Sequence, residues 1–250
     1  MKAAAFDLAV PEDISDAATL LAGEDRRAMA GGQSLGPMLN LRATRPAWIV
    51  PLTGIAALHG AEQTSDAITL GAATTHAALA DGRTPDLEGG VLARIAQGIA
   101  YRAVRNRGTI GGSLCHADPA ADWLTTLTAL DAVVLTTTRA VPLEGFVTGA
   151  YRTLLVQGEI VRAIRIPKPA TGFHWRYHKL CRKPGEFAHA MAACLATTDG
   201  IRLAIGAVGG PPLLLTGDHV SLAGAEAVLG FLDPVDRCIQ LEAVSRVLPA

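Results

Sequence analysis

Arg105-Asn106-Arg107-Gly108-Thr109-Ile110-Gly111-Gly112-Ser113, running through Leu114 into His116-Ala117-Asp118-Pro119-Ala120-Ala121-Asp122, is the most informative stretch of the chain. It holds a Gly-Gly pair flanked by hydroxyl residues. Glycine permits positive φ and removes the Cβ that would hold a diphosphate away, successive backbone N–H groups can point into one concavity, and a serine hydroxyl adds a donor. Ala30-Gly31-Gly32-Gln33-Ser34 repeats this chemistry. Either loop alone is also an ordinary tight turn in a chain with 26 glycines. Two of them converging would cradle a dinucleotide without Lys or Arg. Neither matches G-x-G-x-x-G or G-x-x-x-x-G-K-[ST], which disfavours a Rossmann domain and an NTPase.

The flanks of the first loop read as strand, glycine loop, helix, strand: Arg27 to Ala30, then a short helix Leu35 to Asn40, then Trp48 to Val50 stopped at Pro51. Upstream, Ile14 to Ala22 predicts a helix with Asp13 or Ser15 as N-cap. Around the second loop, Ala67 to Leu70 predicts a strand, and Thr74 or Thr75 can cap a helix reaching Leu79. Val91, Ile95 and Ile99 share one face of a helix over 91–101. Gly111-Gly112 reads as a turn, Pro119 to Leu130 as a helix, and Ala132 to Thr136 and Ile160 to Ile166 as strands. Pro167 to Gly172, with two prolines and a glycine, reads as a linker. Beyond it the texture changes to three strands, Phe173 to Leu180, Phe187 to Thr197 and Ile201 to Val208, the last two joined at Asp199-Gly200. Two helices, Ala225 to Phe231 and Pro234 to Leu248, would cover one face of that sheet.

The hydrophobic share of 50%, charged share of 18% and aromatic share of 4% describe a globular chain with an aliphatic core, and 250 residues allow one elaborate domain or two smaller ones. A formal net charge of -1 provides no global field for nucleic acid. Cys115, Cys181, Cys194 and Cys238 are scattered with no C-x-x-C pair, so no zinc knuckle or iron-sulfur cage can be built locally, and any cluster must come from a partner. No metal site is expected in this chain. No signal-type core develops before Asp7 and no run of about 18 apolar residues occurs, so the expectation is a cytoplasmic protein with no membrane span.

The ordered set of Ala30 to Ser34, Leu39-Asn40-Leu41-Arg42, Ile68 to Ala72, Thr74-Thr75-His76, Val104 to Asp122, Glu159-Ile160-Val161, Ile164 to Pro167 and Lys179 with Gly185 to Ala188 resembles the medium, FAD-binding subunit of molybdenum hydroxylases. Carbon monoxide dehydrogenase and xanthine dehydrogenase are the best-known members. The resemblance covers most of the chain. It implies an α+β fold: a two-lobed FAD-binding domain of the vanillyl-alcohol-oxidase type over 1–169, with lobes of about 1–55 and 56–169. A smaller C-terminal domain of antiparallel sheet plus helices would occupy 170–250.

The resemblance also implies the site. Ala30, Gly31, Gly32, Gln33 and Ser34, with Thr109, Ile110, Gly111, Gly112 and Ser113, would surround the FAD diphosphate, Ile110 also lying near the ring system. Ile99 and Val161 would pack around the cofactor, Val161 through its backbone toward the adenine. Asp122 would accept hydrogen bonds from ribityl or ribose hydroxyls, and Lys179 would lie near the isoalloxazine. The implied partners are a large molybdopterin-binding subunit and a small subunit with two [2Fe-2S] clusters, in a dimer of heterotrimers. Electrons would pass through this FAD to an external acceptor.

No catalytic dyad is expected. His116 lies beside Asp118 and Asp122 without a nucleophile pattern such as G-x-S-x-G, and reads as turn-stabilising or solvated. Arg102, Arg105 and Arg107 read as a solvated face, or as an anchor for the loop or a docking patch for the iron-sulfur partner. Phe187 stands where some relatives have Tyr beside the flavin, and the chain after Gly209-Gly210-Pro211-Pro212 is shorter than is usual in the family. The rivals are a free-standing flavin oxidase or reductase of the same superfamily, which needs an acid or base over the flavin, and a scaffold protein whose loops are mere turns. A variant with an extra cluster, of the benzoyl-CoA-reductase type, needs a cysteine-rich insertion that is absent.

Overall fold

The computed structural model describes residues 2–249. Among the described residues, three sheets of three or more strands follow one another along the chain, with a two-stranded hairpin beside the second. The first contains β1 (Asp7–Leu8), β2 (Arg26–Met29) and β3 (Trp48–Pro51), all parallel in the order β1-β3-β2, with α1 (Ile14–Leu21) and α2 (Leu35–Asn40) in the connections. Asp13 caps α1 by accepting from the Asp16 N–H. Ile49 and Val50 of the central strand are fully buried, and Val50 joins Ala17 of α1 in a small core with Ile55, Leu58, Ala73 and Ile160.

The second sheet is built from β4 (Ala61–Gln63), β5 (Ala67–Gly71), β6 (Val133–Thr136), β7 (Ala140–Pro142) and β10 (Val161–Pro167), antiparallel in the order β4-β5-β10-β6-β7. Between β5 and β6 run α3 (His76–Ala80), α4 (Val91–Gln97), α5 (Arg102–Arg105), α6 (Ile110–His116) and α7 (Asp122–Ala129). α8 (Leu143–Phe146) and a hairpin of β8 (Val147–Gly149) and β9 (Arg152–Thr153) precede β10. Their apolar faces make the largest core, which includes Leu92, Ile110, Leu114, Trp123, Leu124, Phe146 and Ile164.

The third sheet is an antiparallel meander, β11 (His174–Leu180), β12 (Ala190–Thr197), β13 (Gly200–Gly206) and β14 (Leu213–Thr216). α9 (Leu222–Val228) and α10 (Pro234–Ser245) cover one face. α7 covers the other: all eight of its residues are buried, and it packs on β12 and β13. β12 is alanine-rich, a poor composition for an isolated strand, and small side chains suit a strand pressed between helices on both faces. Contact is closest at Gly206, where a Cβ would lie 1.8 Å from Thr125 Oγ1.

Several expectations from the sequence need correction. The helix over 91–101 ends at Gln97, because Ala100 takes a positive φ of 44° and the chain turns to bridge Ile99 to Gly185. Gly111 and Gly112 are not a turn but the first turn of α6, capped by Thr109 Oγ1, which accepts from the Gly112 N–H at 3.1 Å. The helix expected from Pro119 starts at Asp122, since Asp118 folds residues 118–121 into a turn by accepting from the N–H groups of Ala120 and Ala121. Phe187 lies outside β12 and is 60% exposed. The C-terminal sheet has a fourth strand, β14, and the helices after it leave one face to α7.

Candidate cofactor-binding site

The two glycine loops meet. A Cβ on Gly31 would lie 1.8 Å from the Arg107 carbonyl oxygen and 2.9 Å from the Gly108 Cα, so only glycine allows this approach. A Cβ on Gly112 would lie 3.5 Å from that of Ala30. Arg107 is exposed, as a solvated face requires, and its Nε also donates to the Gly31 carbonyl at 3.4 Å, a contact that anchors the loop. Gly32 follows with φ of +70°, the left-handed conformation that glycine adopts at least cost.

Donors are distributed unevenly between the loops. Among the described residues, the backbone N–H groups of Gly31, Gly32, Gln33 and Ser34 reach no protein acceptor, and neither do the hydroxyls of Ser34 and Ser113. In the second loop the Ile110 and Gly111 N–H groups bond the carbonyls of Thr74 and Ala72, and Gly112 and Ser113 are held by Thr109. Thr109, Ile110 and Gly111 are buried, so they support the loop from within, and the Ile110 and Gly111 N–H groups are not free for a ligand. Gly111 must be glycine because a Cβ would lie 2.6 Å from that of Ala72.

A cavity of about 480 Å³, to which neither loop contributes a lining residue, is walled by Arg94, Arg105, Asp122, Tyr177, Lys179 and Gly185 among others. α5 joins the two places: Arg102 and Arg105 line the cavity, and Arg107, just beyond, holds Gly31. Arg102 pairs with Asp81. Arg105 Nη1 donates to the Ile99 and Ala100 carbonyls at 2.9 and 2.7 Å, which fixes the left-handed turn, while Arg94 has no acidic partner among the described residues. The wall is therefore electropositive. Ile99 lies behind it, reached only through its carbonyl, and Val161 sits at the start of β10 in the core that holds Ile110, on neither the loop junction nor the cavity wall.

Asp122 and Lys179 do meet. Lys179 Nζ lies 3.0 Å from both carboxylate oxygens, with side-chain exposures of 11% and 6%, so Lys179 is not a surface lysine. Tyr177 donates its hydroxyl to Asp122 Oδ1 at 2.7 Å. A carboxylate offers about four acceptor sites, so one remains for a ligand hydroxyl. Tyr177 was legible only as a residue two before Lys179 on a strand, hence on the same face. His116 packs against Tyr151 with the ring centroids 5.2 Å apart and the planes tilted by 53°, and it lines neither the loop junction nor the cavity.

His76, the first residue of α3, supports the second loop from beneath: a Cβ on Gly108 would lie 2.9 Å from its Cδ2. Its Nδ1 accepts from Trp123 Nε1 at 3.2 Å. Burial, and then the charge of Arg105, lowers its pKa from 6.5 to about 4. The unfolded chain thus takes up the proton first. The stabilisation is complete above about pH 6.5 and is lost as pH falls toward 4, by at most roughly 3 kcal/mol. Glu159, held by Arg139 and by the Thr136 and Thr138 hydroxyls, is lowered from 4.5 to about 2 and extends the acid sensitivity below pH 4.5. Urea titrations between pH 7 and 4 should show the first loss, and His76→Asn, which keeps an acceptor for Trp123 but cannot titrate, should flatten it. A slope unchanged in that variant would place the acid sensitivity elsewhere.

No helix among the described residues is long and apolar enough to cross a membrane, and none of their His, Cys, Asp and Glu side chains gather in a group of three or more that could hold a metal. Residues 4–169 match the family described as the FAD binding domain in molybdopterin dehydrogenase. The chain is 34% identical over 230 residues to the carbon monoxide dehydrogenase medium chain of Hydrogenophaga pseudoflava, covering 88% of this chain and 80% of that one. It is 36% identical over 205 residues to the 6-hydroxypseudooxynicotine dehydrogenase complex subunit alpha of Paenarthrobacter nicotinovorans, covering 80% and 69%. Its fold superimposes on reconstituted CO dehydrogenase from Oligotropha carboxidovorans with a TM-score of 0.90 at 30% identity, over 99% of this chain and 97% of that one. For quinoline 2-oxidoreductase from Pseudomonas putida 86 the values are 0.85 and 28%, over 99% and 96%. The loops that only glycine can bring together thus lie in a chain that belongs to the FAD-binding family of the molybdopterin dehydrogenases.

Proposed function

We propose that the chain holds FAD as the electron-transfer subunit of a multi-subunit molybdenum hydroxylase, receiving electrons from a partner's [2Fe-2S] clusters and releasing them to an external acceptor. The observation that carries this reading is the Gly31–Arg107 contact, beside which four consecutive N–H groups and two serine hydroxyls reach no protein acceptor. That donor set suits a diphosphate. Gly31 to Ser34 and Ser113 would donate to it, Ala30, Thr109, Ile110, Gly111 and Gly112 would shape the cradle, and Ile99 and Val161 would back the cofactor. Asp122 would use its remaining acceptor site on a ribityl or ribose hydroxyl, and Lys179 would present its ammonium to the ring. FAD, when bound, supplies the redox chemistry that no side chain here can.

The relatives named as medium chains and complex subunits support partners for this chain. The reading assigns a molybdopterin-binding large subunit, where the organic substrate is hydroxylated, and a small two-cluster subunit, in a cytoplasmic dimer of heterotrimers. The distinct core of the third sheet with α9 and α10 supports a C-terminal unit over 170–250, and the parallel first sheet and antiparallel second sheet support lobes of about 1–55 and 56–169. Purified chain incubated with FAD should retain a flavin absorption band through ultrafiltration. A colourless retentate would refute the proposal, and turnover of an organic donor by the isolated chain would favour a free-standing oxidase.

A further inference from the structure

β11 alternates its side chains, so Tyr177 and Lys179 stand on one face above the first turn of α7, and both reach Asp122. Asp122 Oδ1 accepts from both the phenol and the ammonium, and Oδ2 from the ammonium alone. All three residues line the electropositive cavity. An ionised carboxylate only accepts, so the phenol must be the donor. Burial, and then the Asp122 charge, pushes the Tyr177 pKa well above its ordinary value, so the proton stays on the phenol.

The phenol and the ammonium therefore compete for one carboxylate. Where the phenol takes part of the charge on Oδ1, less remains to neutralise Lys179. Removing the hydroxyl would leave Asp122 to Lys179 alone and weaken the positive field at the wall. Removing the carboxylate charge would strengthen that field. Reduced flavin carries more negative charge than oxidised flavin, so the field biases their relative binding.

We propose that Tyr177 is a positioning residue of this cavity: by donating to Asp122 Oδ1 it keeps Lys179 from being fully neutralised, and so sets how strongly the wall favours reduced over oxidised flavin. The proposal rests on the reading that this cavity receives the flavin ring, and it adds a residue that neither the glycine loops nor the ordered motifs identify.

Redox titration of the full chain loaded with FAD, followed by flavin absorption at fixed pH and salt, tests it. Tyr177→Phe keeps the ring and its packing. It should lower the preference for reduced flavin about tenfold, which for a two-electron couple is about 30 mV to lower potential. Asp122→Asn should move the potential the other way. In the Asp122→Asn background the Tyr177→Phe shift should vanish, because Tyr177 acts through the carboxylate charge. A purely packing role would weaken both flavin states alike and leave the potential in place. An unmoved potential in Tyr177→Phe, or an equal shift in both backgrounds, overturns the inference while the FAD-binding reading stands. Failure of the unaltered chain to bind FAD overturns both.

Discussion

Gly31→Ala should abolish FAD retention, raising the dissociation constant at least about a hundredfold, or roughly 3 kcal/mol. The added methyl would lie 1.8 Å from the Arg107 carbonyl oxygen and 2.4 Å from its carbon. Both are backbone atoms, so no side-chain rotation relieves the overlap. Overpacking typically costs about 1–3 kcal/mol when neighbours can give way. Here the relief must be a parting of the two loops, which also breaks the Arg107 bond to the Gly31 carbonyl and disperses the unpaired N–H groups. Gly36 is the control, since a Cβ there meets nothing within 4 Å and its position inside α2 favours alanine. Gly36→Ala should retain FAD and be more stable by roughly 0.4–1 kcal/mol. Equal FAD retention by Gly31→Ala and Gly36→Ala would show that the loop contact does not make the cradle.

Asp122→Ala should destabilise the fold by about 3–5 kcal/mol, the range for removing one partner of a buried ion pair. It leaves the Lys179 ammonium, 11% exposed, without its carboxylate, and the Tyr177 hydroxyl with only the Met191 sulfur at 3.7 Å. Asp122 also opens α7, where a negative charge in the first turn favours the helix dipole, and Ala121 provides no side-chain cap to replace it. Replacing both partners together, with Asp122→Leu and Lys179→Met, should recover much of the stability, because the burial cost of both charges disappears. Equilibrium urea unfolding of the two single variants and the double variant measures the coupling. A cost under about 1 kcal/mol for Asp122→Ala would mean that the pair behaves like a solvent-exposed one.

Local chemistry made much of this legible. The limits of α2 could be read directly, and the caps of α1 and α3 were narrowed to Asp13 or Ser15 and to Thr74 or Thr75, of which the fold uses Asp13 and Thr75, because side-chain caps and glycine or proline breaks act over three or four residues. The Ala30–Ser34 and Thr109–Ser113 loops were legible as a pair through their composition and order. The division of their donors was not, because it depends on the Ala72 and Thr74 carbonyls brought from β5 and its turn. β4, β7, β8, β9 and β14 each pair with the strand next to them in sequence, but they are only two to four residues long, too short for an alternating pattern to mark them. Arg105 and Arg107 looked like part of a charged run, and only the fold shows them gripping the carbonyls of Ile99, Ala100 and Gly31.

α7 begins at the cavity with Asp122 and ends fully buried between the second and third sheets, while Lys179, the other half of the ion pair, belongs to β11. The chain is therefore not a detachable flavin cassette with an optional tail. Trimming it at the Pro167–Gly172 connection would strip α7 of one face and Asp122 of its cation. Splicing two homologous parents at that connection would draw Asp122 from one and Tyr177 and Lys179 from the other. Productive crossovers should fall upstream of α7 or downstream of β11, where the pair is inherited whole.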